Sequence, residues 1–189
     1  MLILTKEEFI AQKGEIMKKI LEGSVFIYPT DTFYGIGCNA TNENAVKKIR
    51  ELKKRPNDPF SIIAPNKEWI VKNCNIEDVN QLSKLPGPYT FILELNNKKI
   101  ISEAVNPDKK TIGIRIPDNW FSAIVTKIGV PIVTTSVNKS GETFMTNMDD
   151  LDEDIKNNVD FIIYEGPKKG KPSTIVSFEK DQMKFKLRQ

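Results

Sequence analysis

No histidine occurs in this 189-residue chain, and its cysteines number two, Cys38 and Cys74. Without imidazole the commonest general base is missing, and serine or cysteine nucleophiles that rely on one are excluded by composition. Two cysteines with no histidine to help them build neither a zinc site nor a disulfide framework. No segment approaches the apolar length of a membrane span. The start, Met1-Leu2-Ile3-Leu4-Thr5, runs at once into charged residues, unlike a secretory signal. These absences point to a reduced, cytoplasmic setting. Charge imbalance is small too: 28 Lys plus Arg against 25 Asp plus Glu give a net +3, so any anion site must be local. The chain is 39% hydrophobic, enough to bury a core, and its length suits one domain over residues 1–189.

Thr5-Lys6-Glu7-Glu8 is a capping-box sequence, and Phe9, Ile10, Ile16, Met17, Ile20 and Leu21 recur at helical spacing up to Gly23. Val25 to Tyr28 is a short apolar run stopped by Pro29, as in a strand buried on both faces. Ala45, Val46, Ile49 and Leu52 mark a helix begun near Thr41 or Asn42 and ended before Pro56. Further strands are predicted at 60–64, 90–95, 111–116, 132–135, 161–164, 174–178 and 184–188, with helices at 68–73, 77–85 and 120–128. This mixture indicates an α/β fold with a mixed sheet. The polar stretch Asn138 to Asp150 is the expected mobile loop.

Six polar islands each close an apolar run: Pro29 to Thr32, Lys53-Lys54-Arg55, Thr111 to Arg115, Ser136-Val137-Asn138, Ser173-Thr174 and Arg188. Their guanidinium, ammonium, hydroxyl and amide groups are what binding a polyphosphate and a small carboxylate requires. In Thr111 to Ile116 strict alternation puts three isoleucines on one face and Thr111, Gly113 and Arg115 on the other. A solvated arginine on an outward-facing strand explains that pattern as well as a ligand does. Thr134, Ser136 and Asn138 likewise share one side, although Ser, Asn and Gly are ordinary turn residues. Lys53 and Arg55 could clamp a triphosphate or merely complement a helix C-terminus. Gly35-Ile36-Gly37 lacks the third glycine of a dinucleotide fingerprint, and Gly166 to Pro172 has the wrong spacing for a P-loop.

In order, the islands resemble the YrdC family of threonylcarbamoyl-AMP synthases. The resemblance rests on Tyr28-Pro29-Thr30-Asp31-Thr32 with Tyr34-Gly35-Ile36-Gly37, on Lys53-Lys54-Arg55-Pro56 as a Lys-x-Arg motif, and on Pro86 to Thr90. It continues through Thr111 to Pro117, Ser136 to Gly141 as Ser-x-Asn, and Ser173 to Val176. It implies a YrdC-like fold, a twisted mixed sheet with flanking helices and a concave basic cavity. It also implies a nucleotidyltransferase that makes threonylcarbamoyl-AMP and pyrophosphate from L-threonine, bicarbonate or CO2, and ATP, for threonylcarbamoyladenosine in tRNA. On that resemblance Lys53 and Arg55 are the catalytic pair. Thr32, Arg115, Ser136 and Ser173 match the threonine contacts, while Lys53, Arg55, Thr111, Asn138 and Arg188 match the ATP contacts. ATP is expected as a substrate carrying Mg2+, with no protein metal site, and a tRNA threonylcarbamoyl-transfer complex as the downstream partner. A paralogue that keeps the cavity but acts on another carbamoyl or adenylate substrate is one competing expectation; the other is a non-catalytic module of the same fold that binds double-stranded RNA or tRNA. Near-neutral charge and the lack of an aromatic stacking motif count against it. The run Met145 to Met148 departs from the small residues expected after Ser-x-Asn.

Overall fold

The computed structural model describes residues 1–107, 110–179 and 182–187. Among them, ten strands join in one mixed sheet, ordered β1-β8-β2-β3-β7-β4-β6-β5-β9-β10. These are β1 (Leu2–Leu4), β2 (Phe26–Pro29), β3 (Tyr34–Gly37), β4 (Ser61–Ile63), β5 (Tyr89–Glu94), β6 (Thr111–Arg115), β7 (Ile132–Ser136), β8 (Phe161–Ile163), β9 (Thr174–Glu179) and β10 (Gln182–Lys186). Strands β1 and β2 flank β8 in parallel, β4 runs parallel to β6 and β5 to β9, and the remaining pairs are antiparallel.

Alternation along β2 sorts the two faces. Phe26 and Tyr28 enter a core with Phe9, Ile16, Ile20 and Phe121, under helices α1 (Lys6–Ala11), α2 (Lys13–Glu22) and α5 (Phe121–Ile128). Ile27 enters the opposite core with Val46, Ile49, Ile70 and Ile155, under α3 (Glu43–Leu52), α4 (Lys67–Asn73) and α6 (Glu153–Asn158). Four of the helix starts follow their sequence. Thr5 and Glu8 close a reciprocal capping box before α1, and Asn42, Asn66 and Asp152 each accept a backbone N–H.

Several expectations need adjusting. The first helix breaks at Gln12 into two. Of the helix expected at 77–85, only a 3-10 turn at Val79–Leu82 forms. Asn119, not Asp118, accepts the Phe121 N–H at the start of α5. Strand β3 was hidden by its glycines. A Cβ on Gly35 would crowd the Tyr28 ring at 3.2 Å, and one on Gly37 would meet that ring at 2.9 Å and strike the Val133 carbonyl. The aromatic ring occupies the space that side chains would take, so this strand needs glycine where propensity disfavours it.

The face carrying Tyr28 is helix-covered over only part of the sheet. Beyond Phe121, whose ring stacks on Tyr28 at 4.6 Å, the same face of β7, β4, β6 and β5 presents Thr134, Ser61, Gly113 and Thr90. Small polar side chains on a curved sheet with no helix above them leave a hollow.

Candidate active site

That hollow is a cavity of about 500 Å³, within the range of small-molecule sites. Its floor is the strand face just described. One wall is the turn between β2 and β3, contributing Thr30 and Phe33. Another is the segment from α3 to β4, contributing Arg55, Pro59 and Phe60. The third is the connection from β8 to β9, contributing Pro172 and Ser173. This last segment is tied down. The Tyr34 hydroxyl donates to the Gly166 carbonyl at 2.6 Å and accepts from the Glu165 N–H at 3.0 Å, and the Lys168 N–H donates to the Thr146 carbonyl at 2.8 Å. Gly170 lies against the Thr32 backbone so closely that any side chain would collide with it. Thus the basic run Lys168-Lys169-Gly170-Lys171 belongs to a strap beside the site, with Lys168 paired to Glu165.

Among the described residues, Arg115 and Arg55 are the cations that line the cavity, and their surroundings differ. Arg115 ends β6, opposite Ile63 of β4, and is 6% exposed. Its guanidinium donates to Asp31 Oδ1 at 2.5 Å, and Asp31 Oδ2 accepts the Asp118 N–H at 2.9 Å. Burial pulls the arginine pKa down, and Asp31 opposes that. Its Nε is buried with no hydrogen-bond partner among the described residues. Asp31 was visible in the first island but carried no role. Its partner lies 84 residues away in sequence, a pairing that the fold makes and local pattern does not show.

Arg55 lies toward the other end, where β4 begins. Its Nη2 donates to the Pro59 carbonyl at 3.2 Å, Asp58 sits 3.4 Å from Nε, and the guanidinium is 5.7 Å from the centre of the Phe60 ring. Arg50 shapes this segment. It donates to the carbonyls of Ala104, Val105, Arg55, Pro56 and Asp58, and packs 4.5 Å from the Phe60 ring centre. A basic residue inside a helix gives no local sign of such a job.

Lys53, expected with Arg55 to clamp a triphosphate if the end of its helix opens into extended chain, is instead 1% exposed and does not line the cavity. Its ammonium donates to the carbonyls of Ser136 at 2.5 Å and Asn138 at 2.6 Å, and to Asn138 Oδ1 at 3.0 Å. The cause is the end of α3. Instead of opening into extended chain, Lys54 turns left-handed with φ of 50°, Lys54 N–H returns to Glu51 O and Arg55 N–H to Arg50 O. That is a Schellman closure, and it sends consecutive basic residues in different directions. Burial and the nearby Arg55 charge lower the Lys53 pKa to about 7, while its three oxygen acceptors favour the ammonium.

Ser136 and Ser173 line the cavity; the Ser173 hydroxyl shares a 2.8 Å hydrogen bond with Thr90. Thr32 is buried against Thr30, with hydroxyls 2.9 Å apart, and touches the cavity through Thr30. Asn138 stands behind Ser136, accepting its hydroxyl at 2.5 Å. Thr111 is exposed at the start of β6, off the cavity lining, and its carbonyl accepts from Asn106. Arg188 lies outside the described residues. The stretch Asn138 to Asp150, expected to be mobile, is pinned. Met145 is fully buried, its N–H donates to the Val137 carbonyl at 3.0 Å, and the Ser140 N–H donates to the Lys53 carbonyl.

Comparison with known proteins places this geometry in a lineage. Residues 18–189 match the Sua5/YciO/YrdC family, which carries the description telomere recombination. A Methanocaldococcus jannaschii protein provisionally named threonylcarbamoyl-AMP synthase is 41% identical over 174 residues, 89% of this chain and 81% of the relative. Bacillus subtilis threonylcarbamoyl-AMP synthase is 31% identical, over 94% of this chain and 52% of the relative. The crystal structure of P. abyssi Sua5 complexed with L-threonine superposes with a TM-score of 0.81 at 27% identity, covering 94% of this chain and 54% of that one. The chain therefore spans about half the length of the Bacillus and P. abyssi relatives. With a family match over nearly the whole sequence and a shared fold beneath it, this chain belongs to the Sua5/YciO/YrdC family.

Proposed function

We propose that this chain is an L-threonylcarbamoyladenylate synthase, which joins L-threonine, bicarbonate or CO2, and ATP into threonylcarbamoyl-AMP and pyrophosphate. The observation that carries this reading is one cavity whose two arginines are unlike: Arg115 is matched to Asp31, and Arg55 is partly open. A guanidinium beside a carboxylate suits a zwitterion, because it can take the threonine carboxylate without repelling the ammonium. Arg55, with the Ser136–Asn138 turn that Lys53 holds, suits the phosphates of ATP. The names of the Methanocaldococcus and Bacillus relatives, and threonine in the P. abyssi complex, support the same assignment.

The threonine amine adds to CO2, loses a proton and becomes a carbamate. A carbamate oxygen then attacks the α-phosphorus of ATP, and the bond to the bridging oxygen breaks as pyrophosphate departs. Neither step needs a histidine, because the protein's work is to hold two anions in line and neutralise charge on the phosphates. Mg2+ enters with ATP as part of that substrate. Among the described residues no group of three or more His, Cys, Asp or Glu could hold a metal. Ser136 and Ser173 place short hydroxyls at the cavity wall near the reacting groups, and Thr32 braces Thr30. The product is a mixed anhydride prone to hydrolysis, and a tRNA threonylcarbamoyl-transfer complex in the cytoplasm would consume it.

Incubation with ATP, Mg2+, bicarbonate and each amino acid in turn tests the reading. Threonine alone should support pyrophosphate release and a product of threonylcarbamoyl-AMP mass. Equal release with serine, or with no amino acid, would contradict it.

A further inference from the structure

Two phenylalanines have no role in the chemistry above. Phe33, in the turn between β2 and β3, and Phe144, in the segment after β7, both line the cavity. Their rings stack with centroids 4.2 Å apart and planes inclined by 23°. Both residues are half-buried. A stacked pair at a cavity wall leaves apolar ring surface that a third flat group can cover.

Each ring has a neighbour that is held in place. Thr32 and Tyr34, which bracket Phe33, are 3% and 0% exposed. Phe144 is followed by the fully buried Met145, whose N–H bonds the Val137 carbonyl. Rings held on pinned backbone make a rigid platform and a poor gate. The platform also lies at the Ser136 end of the cavity, since Gly35, two residues after Phe33, pairs with Ser136, and Met145, the residue after Phe144, bonds Val137. That is the end assigned above to the nucleotide.

We infer that the Phe33–Phe144 pair is the base-recognition element of this site, and that a purine nucleotide binds with its base stacked on these rings while its phosphates reach Arg55. This rests on the synthase reading and adds the residues that select the base. Stacking tolerates either purine and favours both over a pyrimidine through ring area.

Calorimetric titration of the wild type, Phe144→Ala, Phe144→Trp and Phe33→Leu with ATP, UTP and inorganic tripolyphosphate tests this, with thermal melting to establish that each variant is folded. Phe144→Ala should weaken ATP binding about 10- to 100-fold, the range alanine substitution of a base-stacking ring produces. Tripolyphosphate binding should be unchanged, and the preference for ATP over UTP should shrink. Phe144→Trp should restore ATP binding, and Phe33→Leu should lie between. Equal losses for ATP and tripolyphosphate would show a collapsed wall and overturn the platform. Unchanged ATP affinity in Phe144→Ala would overturn it too, leaving the synthase reading intact. Failure of the wild type to bind ATP at all would remove both.

Discussion

The two ends of the cavity hold their cations by opposite means. At the Arg115 end a buried guanidinium faces a carboxylate, and Asp31 is itself held by the Asp118 N–H. At the Lys53 end a buried ammonium faces only neutral oxygens, two carbonyls and an amide. Arg55, the cation open to the cavity there, has among the described residues only the largely exposed Asp58 as its carboxylate partner. The first end is neutralised before any ligand arrives, whereas the second retains positive charge. A zwitterion needs geometry without excess charge, and a polyphosphate needs the excess. The contrast assigns ligands to ends without any one residue having to be diagnostic.

The contrast breaks most severely if Asp31 is removed. Asp31→Ala strands Arg115 as a buried, unpaired charge, and loss of one partner from a buried pair destabilises by about 3–5 kcal/mol. Chemical denaturation should show that drop, and an Arg115→Met, Asp31→Ala double variant should recover much of it. A double variant as unstable as the single would mean that the pair adds nothing beyond packing.

The Lys53 end sharpens the contrast through pH. Its folded pKa is lowered to about 7, so between about 7 and the ordinary lysine value the unfolded chain binds a proton that the folded chain does not. Stability must therefore rise with pH in that window. Relative to Lys53→Met, the wild type should gain about tenfold or more in its folding constant from pH 7 to pH 9. Parallel pH profiles for the two proteins would show that Lys53 keeps an ordinary pKa.

Gly113 lies between the ends. A Cβ at this position would collide with the Ser61 hydroxyl and approach Thr90 at 3.0 Å. Gly113→Ala should lower stability by about 1–3 kcal/mol, and adding Ser61→Gly should restore it. No loss in the single variant would mean the cavity floor is looser than drawn. The smallest expected effect is a gain. Lys54 is left-handed at the end of α3, so Lys54→Gly should raise the midpoint of thermal unfolding by relieving about 1 kcal/mol of backbone strain.

Much of this was legible in the residues, for identifiable reasons. In β6 the alternation of isoleucines with Gly113 and Arg115 assigned both faces, because the side-chain period of a strand is two and one face is core. Asn42 and Pro56 bracketed α3 because capping and proline geometry are local. What escaped depended on contacts distant in sequence. Strand β3 needed its glycines to accommodate Tyr28, the Asp31–Arg115 pair joins the β2–β3 turn to the end of β6, and α6 has Ile155 as its buried residue. Lys53 misled because a basic run at a helix end looks solvated, and only the Schellman turn at Lys54 separates its direction from that of Arg55. Phe144 sat in a stretch too polar to suggest a wall.

Paired titrations of Arg55→Ala and Arg115→Ala with ATP and L-threonine test the central claim most directly. Arg55→Ala should lose ATP affinity and keep threonine affinity, while Arg115→Ala should do the reverse. Loss of both ligands to the same extent in both variants would contradict a cavity with two differently charged ends.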